Sequence, residues 1–433
     1  MTPPVIGLLG FVVTVVLIFF RVPVAVAMSL TGIGGFTLLN GWNGTAFVLG
    51  AAPFGAVFPY NLSVVPLFIL MGIFAAQAGL SRSLYDAVNA FTGHLRGGLA
   101  MATIGACALF GAICGSSLAT SATMCGVALP EMRRHGYDDR LATASIAAGG
   151  TLGVLIPPSI ILVIYGLLTG TSIGQLFIAA LIPGLLAMLL YMAAAWLWVW
   201  LKPELGPPAE RHSWRERLTV LGRVWTVLGL FLMVIGGMYL GWFSPTEAAA
   251  VGALGAFLIA LVSGSLTRST FLTSVWQAAE VTGMIFLILI GAALFNYFIE
   301  TSNLPFFLVD LIEGAGLTPV MTLLCIVVFY LLLGCVMDAL SMVLLTIPFI
   351  FPIISALGFD PVWFGIVVVT VAEIGLITPP VGMNLFVIQG AAGDVRQSTI
   401  FRGIVPFLMA DLVRIALLLL FPALVLWLPD KMF

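Results

Sequence analysis

Two pairs of consecutive prolines, Pro157–Pro158 and Pro379–Pro380, each interrupt a long apolar segment. Proline has no backbone N–H to donate, so the carbonyl four residues before it loses its helical partner. Freed carbonyls beside hydroxyl groups form a neutral oxygen cage, which suits a hard monovalent cation such as Na⁺. We therefore predict one Na⁺ site at each interrupted segment, where the freed carbonyl oxygens are those of Gly153, Val154, Gly375 and Leu376.

Oxygen-bearing side chains lie close to both proline pairs in the sequence. Ser116 and Ser117 belong to a run of small and polar residues, GAICGSSLATSATMCG, that precedes the first pair. Asp338 and Ser341 belong to a second such run, LLGCVMDALSMVLL, and Thr378 immediately precedes the second pair. An ionisable residue inside a membrane segment is a functional candidate by default, so we interpret Asp338 as a cation ligand. The alternative is a simple proline kink whose carbonyls a neighbouring helix satisfies; two copies in register argue against it.

Of the other ionisable residues within apolar segments, some are functional candidates and others have a structural explanation. For Glu373, one turn before the second proline pair, a functional role and a local structural pairing are equally consistent. Arg414 has Asp411 one turn away, which favours a self-neutralised structural pair over a substrate clamp. Glu247 fits a capping box and Glu280 is expected to reach the membrane interface. A substrate carboxylate would instead bind backbone N–H groups where a helix begins.

The segment that contains the first proline pair recurs 222 residues later. Each copy has an apolar segment of hairpin length, a Gly-aromatic-Asp turn, and a long apolar segment that the prolines interrupt. Paired, interrupted segments at corresponding places in two halves are typical of the binding site of a secondary transporter. The matched positions are Pro130 and Pro352, Gly136 and Gly358, Asp138 and Asp360, Gly153 and Gly375, Pro157 and Pro379, and Pro158 and Pro380.

The composition indicates a membrane protein. Of 433 residues, 61% are hydrophobic and 8% are charged, whereas an ordinary soluble domain carries about 25% charged residues. Basic residues are few and dispersed, which argues against a nucleic-acid partner. The sequence has no GxxxxGK[ST] motif for ATP hydrolysis, and we predict no enzymatic activity. The five cysteines form no CxxC pair, so neither a disulfide framework nor a transition-metal site is predicted.

The basic residues predict the orientation of ten membrane crossings. With the N-terminus outside the cytoplasm, inner loops contain 14 of the 16 Lys and Arg residues, as the positive-inside rule requires. The C-terminus then also lies outside. Two apolar segments, about 101–129 and about 320–352, are predicted to be re-entrant hairpins, because the two loops that flank each segment lie on the same side of the membrane. The ten crossings are placed near 4–20, 22–41, 64–80, 141–166, 174–200, 224–243, 245–265, 274–298, 362–388 and 404–427.

These features predict an all-α polytopic membrane protein with two inverted-topology repeats. Each repeat has five transmembrane helices and one re-entrant hairpin, and the odd number of crossings turns the second copy upside down. The first repeat spans 1–200 and contains the broken helix 141–166. A cytoplasmic loop, 201–223, connects it to the second repeat, 224–433, which contains the broken helix 362–388.

Three segments of the sequence resemble one known family. They are ICGSSLATSATMCGVALPEMRRHGYDDRLATASIAAGGTLGVLIPPSIILVIYG, SPTEAAAVGA after the central loop, and LITPPVGMNLFVIQG near the end. Over essentially its whole length, the chain resembles the large membrane subunit of tripartite ATP-independent periplasmic (TRAP) transporters, the DctM-like subunit. The resemblance implies sodium-driven symport of an organic acid, often a carboxylate, across a bacterial or archaeal inner membrane. It also implies two protein partners, a small four-helix membrane subunit on a separate chain and an extracytoplasmic substrate-binding protein.

The resemblance further implies an elevator mechanism, in which outer helices form a scaffold and the hairpins and broken helices form a transport domain. Carried onto this sequence, it assigns one Na⁺ to Ser116, Ser117, Gly153, Ile156 and Pro158. It assigns a second Na⁺ to Asp338, Ser341, Gly375, Thr378 and Pro380. The substrate would lie between the hairpin tips, near Ser117, Thr120 and Asn384. Some relatives carry an acidic residue in the first tip where this chain has Ala119, Thr120 and Ser121, which weakens the case for proton coupling there.

Two other functions are consistent with the same residues. One is an ion-coupled organic-acid carrier with inverted repeats that needs no binding protein; uptake without any binding protein would favour it. The other is a membrane scaffold or channel without coupled transport. Counterflow and sodium dependence separate a carrier from a channel, because a pore shows neither saturation nor stoichiometric coupling.

Overall fold

The computed structural model describes residues 1–209 and 211–432, and this part of the chain consists of helices and connecting turns without any strand. The predicted all-α class is therefore confirmed. Among the described residues, seven helices are long and apolar enough to cross a membrane, or nine if each of two bent pairs is one span. Eight of the ten predicted crossings match these helices. The crossings near 4–20 and 362–388 correspond to shorter apolar helices.

The helices of the described chain are numbered here in sequence order. They are α1 Pro3–Phe19, α2 Val24–Val57, α3 Val64–Gln77, α4 Leu80–Thr92, α5 Gly98–Cys114, α6 Ser117–Arg134, α7 Asp139–Leu155, α8 Ile160–Thr169, α9 Ile173–Leu201, α10 Trp214–Phe231, α11 Gly237–Tyr239, α12 Pro245–Val262, α13 Arg268–Thr301, α14 Leu304–Gly314, α15 Pro319–Gly334, α16 Ala339–Ala356, α17 Pro361–Gly375, α18 Met383–Ala392, α19 Gln397–Leu420 and α20 Ala423–Met432.

Several boundaries differ from the predicted ones for local reasons. The predicted cytoplasmic loop 201–223 is shorter, because Ser213 and Glu216 form a capping box that starts α10 at Trp214; residue 210 of that loop lies outside the described residues. The last crossing, placed near 404–427, begins earlier and ends at Leu420. Pro422 lies two residues further on and cannot continue the ladder of hydrogen bonds.

α5 and α6 fold back on each other around Gly115. The Thr103 hydroxyl donates to Met132 Sδ at 3.5 Å, and the Leu99 N–H donates to the Tyr137 hydroxyl at 3.1 Å. The start of α5 and the end of α6 therefore lie side by side. α15 and α16 are arranged similarly, with the hydroxyl oxygens of Tyr330 and Thr346 2.7 Å apart.

The two halves of the chain place their helices at a nearly constant sequence interval. α5 and α15, α6 and α16, α7 and α17, and α8 and α18 each begin within one residue of a 222-residue separation. Both proline pairs contain a cis peptide bond, and the turns before α7 and α17 contain glycines with positive φ, Gly136 at 75° and Gly358 at 76°. The recurrence extends from the sequence to the backbone.

The broken helices form the centre of the molecule, and α2 and α13 pack together outside them. In α7 all residues from Leu141 to Leu155 are buried, and in α17 all residues from Val362 to Gly375 are buried. α2 approaches α13 closely because glycines face the partner backbone: a methyl group on Gly291 would lie 2.5 Å from the Ala25 carbonyl oxygen. An apolar helix buried on every side is surrounded by protein and not by lipid or water.

The fold predicts the outcome of accessibility labelling. Arg96 and Arg134, at the outer ends of the α5–α6 pair, are both exposed. In a cysteine-less background, Arg96→Cys and Arg134→Cys are expected to react with a membrane-impermeant maleimide from the cytoplasmic face alone. Glu313→Cys lies near the end of α14, in the segment between the crossing near 274–298 and the second hairpin that is predicted to be outside, and it should react from the opposite face. Labelling of positions 96 and 134 from different faces would exclude a re-entrant hairpin.

Candidate functional site

A cavity of about 490 Å³ lies between the two hairpin tips and the helices α3 and α13. The first tip contributes Cys114 to Ala119, and the second contributes Asp338 to Leu340. α3 contributes residues between Ile69 and Gln77, and α13 contributes residues between Gln277 and Ile288. Of the predicted site residues, Ser116, Ser117 and Asp338 line this cavity. The others are not among its lining residues: Thr120, Gly153, Ile156, Pro158, Ser341, Gly375, Thr378, Pro380 and Asn384.

The first proline pair breaks its helix as predicted by proline chemistry. α7 ends at Leu155, Ile156 is extended, and the Ser159 hydroxyl accepts from the Leu162 N–H at 3.3 Å to start α8. The two helices meet at an angle of 40°. The backbone between them is non-helical, which is tolerated at membrane depth where it is enclosed by protein or lines a cavity.

Neutral oxygen atoms converge at Gly153. A methyl group on Gly153 would lie 2.7 Å from Thr120 Oγ1 and 3.2 Å from the Ser116 carbonyl oxygen. Thr120 Oγ1 is buried and has no hydrogen-bond partner. An unpartnered buried hydroxyl is costly unless something binds it. These neutral oxygens are of the type predicted to hold Na⁺. Thr120, which was predicted to contact the substrate, lies beside Gly153, which was predicted to hold the first Na⁺.

In the second half, the side chains predicted to bind Na⁺ already have hydrogen-bond partners in the protein. The Asp338 carboxylate caps α16: its two oxygens accept from the Ser341 N–H at 3.0 Å and from the Ser341 hydroxyl at 2.5 Å. The Thr378 hydroxyl donates to the Ile374 carbonyl at 2.7 Å. Asp338 and Ser341 therefore lie together at the second tip, and the remaining lone pairs of the carboxylate are free to accept further partners.

The expectation that Gly375 and Leu376 have free carbonyls is wrong. The Gly375 oxygen accepts from the Thr378 N–H at 3.1 Å, and the Leu376 oxygen accepts from the Asn384 N–H at 3.1 Å. The chain turns tightly after α17 and supplies its own donors, one from Thr378 just before the prolines and one from Asn384 beyond them. Each carbonyl oxygen keeps one lone pair, so the backbone before the second proline pair can still contribute to a cation site. These oxygens do not form an open cage.

The backbones of each hairpin and its broken helix touch through a pair of glycines. A methyl group on Gly375 would lie 2.5 Å from Gly334 Cα and 2.6 Å from its carbonyl carbon. In the first half, a methyl group on Gly111 would contact Gly153 Cα closely in the same way. The glycines thus permit a helix approach that no other residue allows.

Glu373 is the functional candidate that the sequence left undecided. Its side chain is 1% exposed, lines the cavity, and accepts a hydrogen bond from the Ser117 hydroxyl. Its other oxygen, Oε1, is buried without a partner. Because Ser117 belongs to the first tip and Glu373 to the second broken helix, this bond joins the two halves. A carboxylate near a proline pair was the available signal, but its partner lies 256 residues away in the chain.

Arg414 and Asp411 form a buried pair away from the cavity. Both side chains are 1% exposed, and Arg414 Nη2 lies 2.7 Å from Asp411 Oδ1. The Tyr191 hydroxyl lies 2.8 Å and 2.9 Å from the two Asp411 oxygens. Neither charged residue lines the cavity between the tips. The geometry agrees with the structural interpretation of this pair.

Asn384 lies at the first turn of α18, which packs against α6. Its side-chain oxygen and nitrogen are both buried and have no hydrogen-bond partner. The same holds for Ser121 Oγ on α6. Two helices from different halves therefore present unpartnered polar groups, which fits a role of Asn384 in binding.

Ion pairs outside the membrane-spanning segments connect the same two halves. Arg133, at the end of α6, pairs with Asp139 at 2.8 Å and with Asp394, after α18, at 3.0 Å. The Arg133 guanidinium holds the pKa of Asp394 below its usual range through this hydrogen bond. Since both partners are substantially exposed, the pair contributes little stability and serves mainly to orient the two segments.

Comparison with known proteins gives consistent matches. Residues 11–424 match the family described as "Tripartite ATP-independent periplasmic transporter, DctM component". The chain is 39% identical over 372 residues to the C4-dicarboxylate TRAP transporter large permease protein DctM of Pseudomonas aeruginosa, which covers 86% of each chain. It is 33% identical over 415 residues to the sialic acid TRAP transporter large permease protein SiaM of Vibrio cholerae, which covers 96% of each chain.

The fold is also similar to that of a solved structure. The YdaH transporter of Alcanivorax borkumensis superposes with a TM-score of 0.65 over 96% of this chain and 98% of that chain. The sequences are 17% identical, so the likeness concerns the fold.

Proposed function

The chain belongs to the DctM component family of tripartite ATP-independent periplasmic transporters, and we propose that it couples organic-acid uptake to Na⁺ by an elevator movement. It is a large permease subunit for organic-acid uptake, a multi-pass protein of a bacterial inner membrane. Some of its relatives are named for C4-dicarboxylates and for sialic acid, and others for isethionate and for ectoine. Membership in the family therefore indicates an organic acid as the class of substrate.

The observation that carries Na⁺ coupling is the oxygen cluster at Gly153. It combines a backbone carbonyl oxygen of Ser116 with an unpartnered hydroxyl oxygen of Thr120, both within about 3 Å of one point beside the glycine. Neutral oxygens at an interrupted helix suit a monovalent cation, which does not require a carboxylate cage. The second Na⁺ would be held at the second tip by Asp338 and Ser341 together with the backbone around Gly375.

The elevator mechanism is supported by the packing of the helices into two groups. The hairpins α5–α6 and α15–α16 pack against the broken helices α7–α8 and α17–α18, and α2 packs against α13 outside them. We propose that the first group is the transport domain, that the second belongs to the scaffold, and that the halves are inverted repeats. The cavity lies where the two groups meet, which is where a carried substrate would be released.

Two protein partners follow from the family. An extracytoplasmic substrate-binding protein would deliver the organic acid, and a small four-helix membrane subunit would support the scaffold. Both are part of the proposal. Uptake into proteoliposomes that requires the binding protein, the small subunit and an inward Na⁺ gradient would support it. Uptake without a binding protein would indicate a stand-alone carrier, and flux without saturation or Na⁺ dependence would indicate a channel.

Asp338→Ala tests the second Na⁺ site. We expect the variant to weaken the Na⁺ dependence of uptake at least tenfold, because it removes the charged oxygens at the second tip. Glu280→Ala is the matched control, since Glu280 is an exposed acidic residue of α13 that does not line the cavity. The measurement is the initial rate of uptake against Na⁺ concentration. Equal Na⁺ responses in the two variants would count against this site.

A further inference from the structure

Basic side chains converge where the segment after α9 returns to the end of α4. The Ala209 N–H donates to the Gly93 carbonyl at 2.9 Å, which holds this segment against the turn between α4 and α5. Burial lowers the pKa of the neighbouring His94, and the positive charges of Arg211 and Arg217 lower it further. Charges act on a pKa in this way when they lie close to the group. We call His94, Arg211 and Arg217 the basic cluster.

Aromatic rings hold the Arg217 side chain in place. Its guanidinium carbon lies 5.0 Å from the centre of the Trp214 ring and 5.6 Å from that of the Phe91 ring. Rings at such distances attract a cation through their quadrupole. Because Phe91 belongs to α4 and Trp214 belongs to α10, the guanidinium is fixed where these two helices pack together.

The described part of the chain does not balance the charge of the two arginines. Neither Arg211 nor Arg217 forms an ion pair with a described acid. Glu216, in the first turn of α10, instead caps the helix by accepting from the Ser213 N–H at 2.7 Å; residue 210 lies outside the described residues. The guanidinium groups are therefore available to an anion, and their planar fork favours the oxygens of a phosphate.

Beside the basic cluster, α10 presents an exposed apolar face. Trp214, Leu218, Leu221 and Trp225 recur at intervals of four, three and four residues, so they share one face of the helix. Their exposed fractions are 73%, 65%, 41% and 68%. α10 continues into the crossing predicted near 224–243, which indicates that this face contacts lipid. Tryptophan is enriched at the headgroup level of membranes, and the basic cluster lies at the same level as the Trp214 ring that it contacts.

We propose that the basic cluster and the exposed face of α10 bind an anionic phospholipid of the cytoplasmic leaflet. The positive-inside rule places the segment before α10 on the cytoplasmic side, where the membrane surface is negatively charged. The lipid phosphate binds the guanidinium groups of Arg211 and Arg217, and an acyl chain lies along Trp214 and Leu218. A free phosphate ion would match the arginines but would not use the adjoining apolar face. The cavity between the hairpin tips contains none of these residues.

Lipid titration of the purified permease complex tests this site. Native mass spectrometry of the delipidated complex in detergent gives apparent dissociation constants for phosphatidylglycerol and for phosphatidylcholine with the same acyl chains. A basic side chain near an anionic membrane surface strengthens binding by about fivefold, so Arg211→Gln/Arg217→Gln should bind phosphatidylglycerol about 25-fold more weakly. Its affinity for phosphatidylcholine should not change. Arg268→Gln/Arg402→Gln is the matched control, because it removes two exposed arginines from other predicted inner segments.

Three results would overturn the proposal. They are equal phosphatidylglycerol affinities in the double variant and its control, equal affinities of the wild type for the two lipids, and displacement of phosphatidylglycerol by an excess of inorganic phosphate. The last result would show a site for free phosphate.

Arg211→Gln alone separates the charge from the packing of the helices. Arg211 is exposed, and its replacement leaves the contacts of Arg217 with both rings intact. This variant should bind phosphatidylglycerol about fivefold more weakly at an unchanged unfolding temperature. An unchanged affinity would contradict the site. Because binding is measured without transport, the result is independent of the proposed function.

Discussion

Gly375→Ala is expected to lower Na⁺-driven uptake by roughly 100-fold, the scale on which a displacement of about 1 Å at a functional site acts. The added methyl group would lie 2.5 Å from Gly334 Cα and 2.6 Å from its carbonyl carbon. These are backbone atoms of α15, which cannot rotate away as a flexible side chain would. α15 must therefore move from α17, and the tip that carries Asp338 moves with it. Initial uptake rates in proteoliposomes measure the effect.

Gly126→Ala is the matched control for Gly375→Ala. Gly126 lies in α6, and a methyl group there would meet nothing within 4 Å. The same substitution in an open helical position stabilises a helix by up to about 1 kcal/mol. Uptake by this control should stay near the wild-type rate. Normal uptake by Gly375→Ala, at equal expression and thermal stability, would show that the close glycine approach is not needed for transport.

The fold was predictable from backbone-determining residues. Prolines and glycines restrict φ and ψ directly, so their recurrence at a fixed interval carried information that survives the divergence of the apolar residues between the halves. Helix ends were less predictable. The start of α10 depended on the Ser213–Glu216 capping box, and the end of α19 depended on Pro422. The capping box and the proline are local signals, but the predicted helix ends followed the extent of the apolar residues instead.

The site was predictable in part. The serines of the first tip and Asp338 were identified because polar residues are unusual inside apolar segments, and they do line the cavity. The contact between Ser117 and Glu373 depends on how two distant segments pack, and no local spacing encodes it. The same limit applies to Thr120, which the hairpin geometry brings to Gly153. Chain reversal after α17 supplied hydrogen-bond donors that the proline argument alone did not include.

Arg414→Met is expected to lower the free energy of unfolding by roughly 3–5 kcal/mol, because it leaves Asp411 as an uncompensated buried charge. Both side chains are 1% exposed and their charged atoms are 2.7 Å apart. A native protein is stable by only about 5–15 kcal/mol, so the loss is a large share of the total. Thermal unfolding of the purified permease complex measures it. Arg134→Met is the control, since Arg134 is an exposed base at the end of α6.

The double variant Arg414→Met/Asp411→Leu distinguishes a structural pair from a substrate clamp. Replacing both members of a buried ion pair by apolar residues of similar size is often neutral or stabilising, so the double variant should unfold at a higher temperature than Arg414→Met alone. Since neither residue lines the cavity, its uptake should recover together with its stability. Recovered stability without recovered uptake would show that Arg414 acts on the substrate.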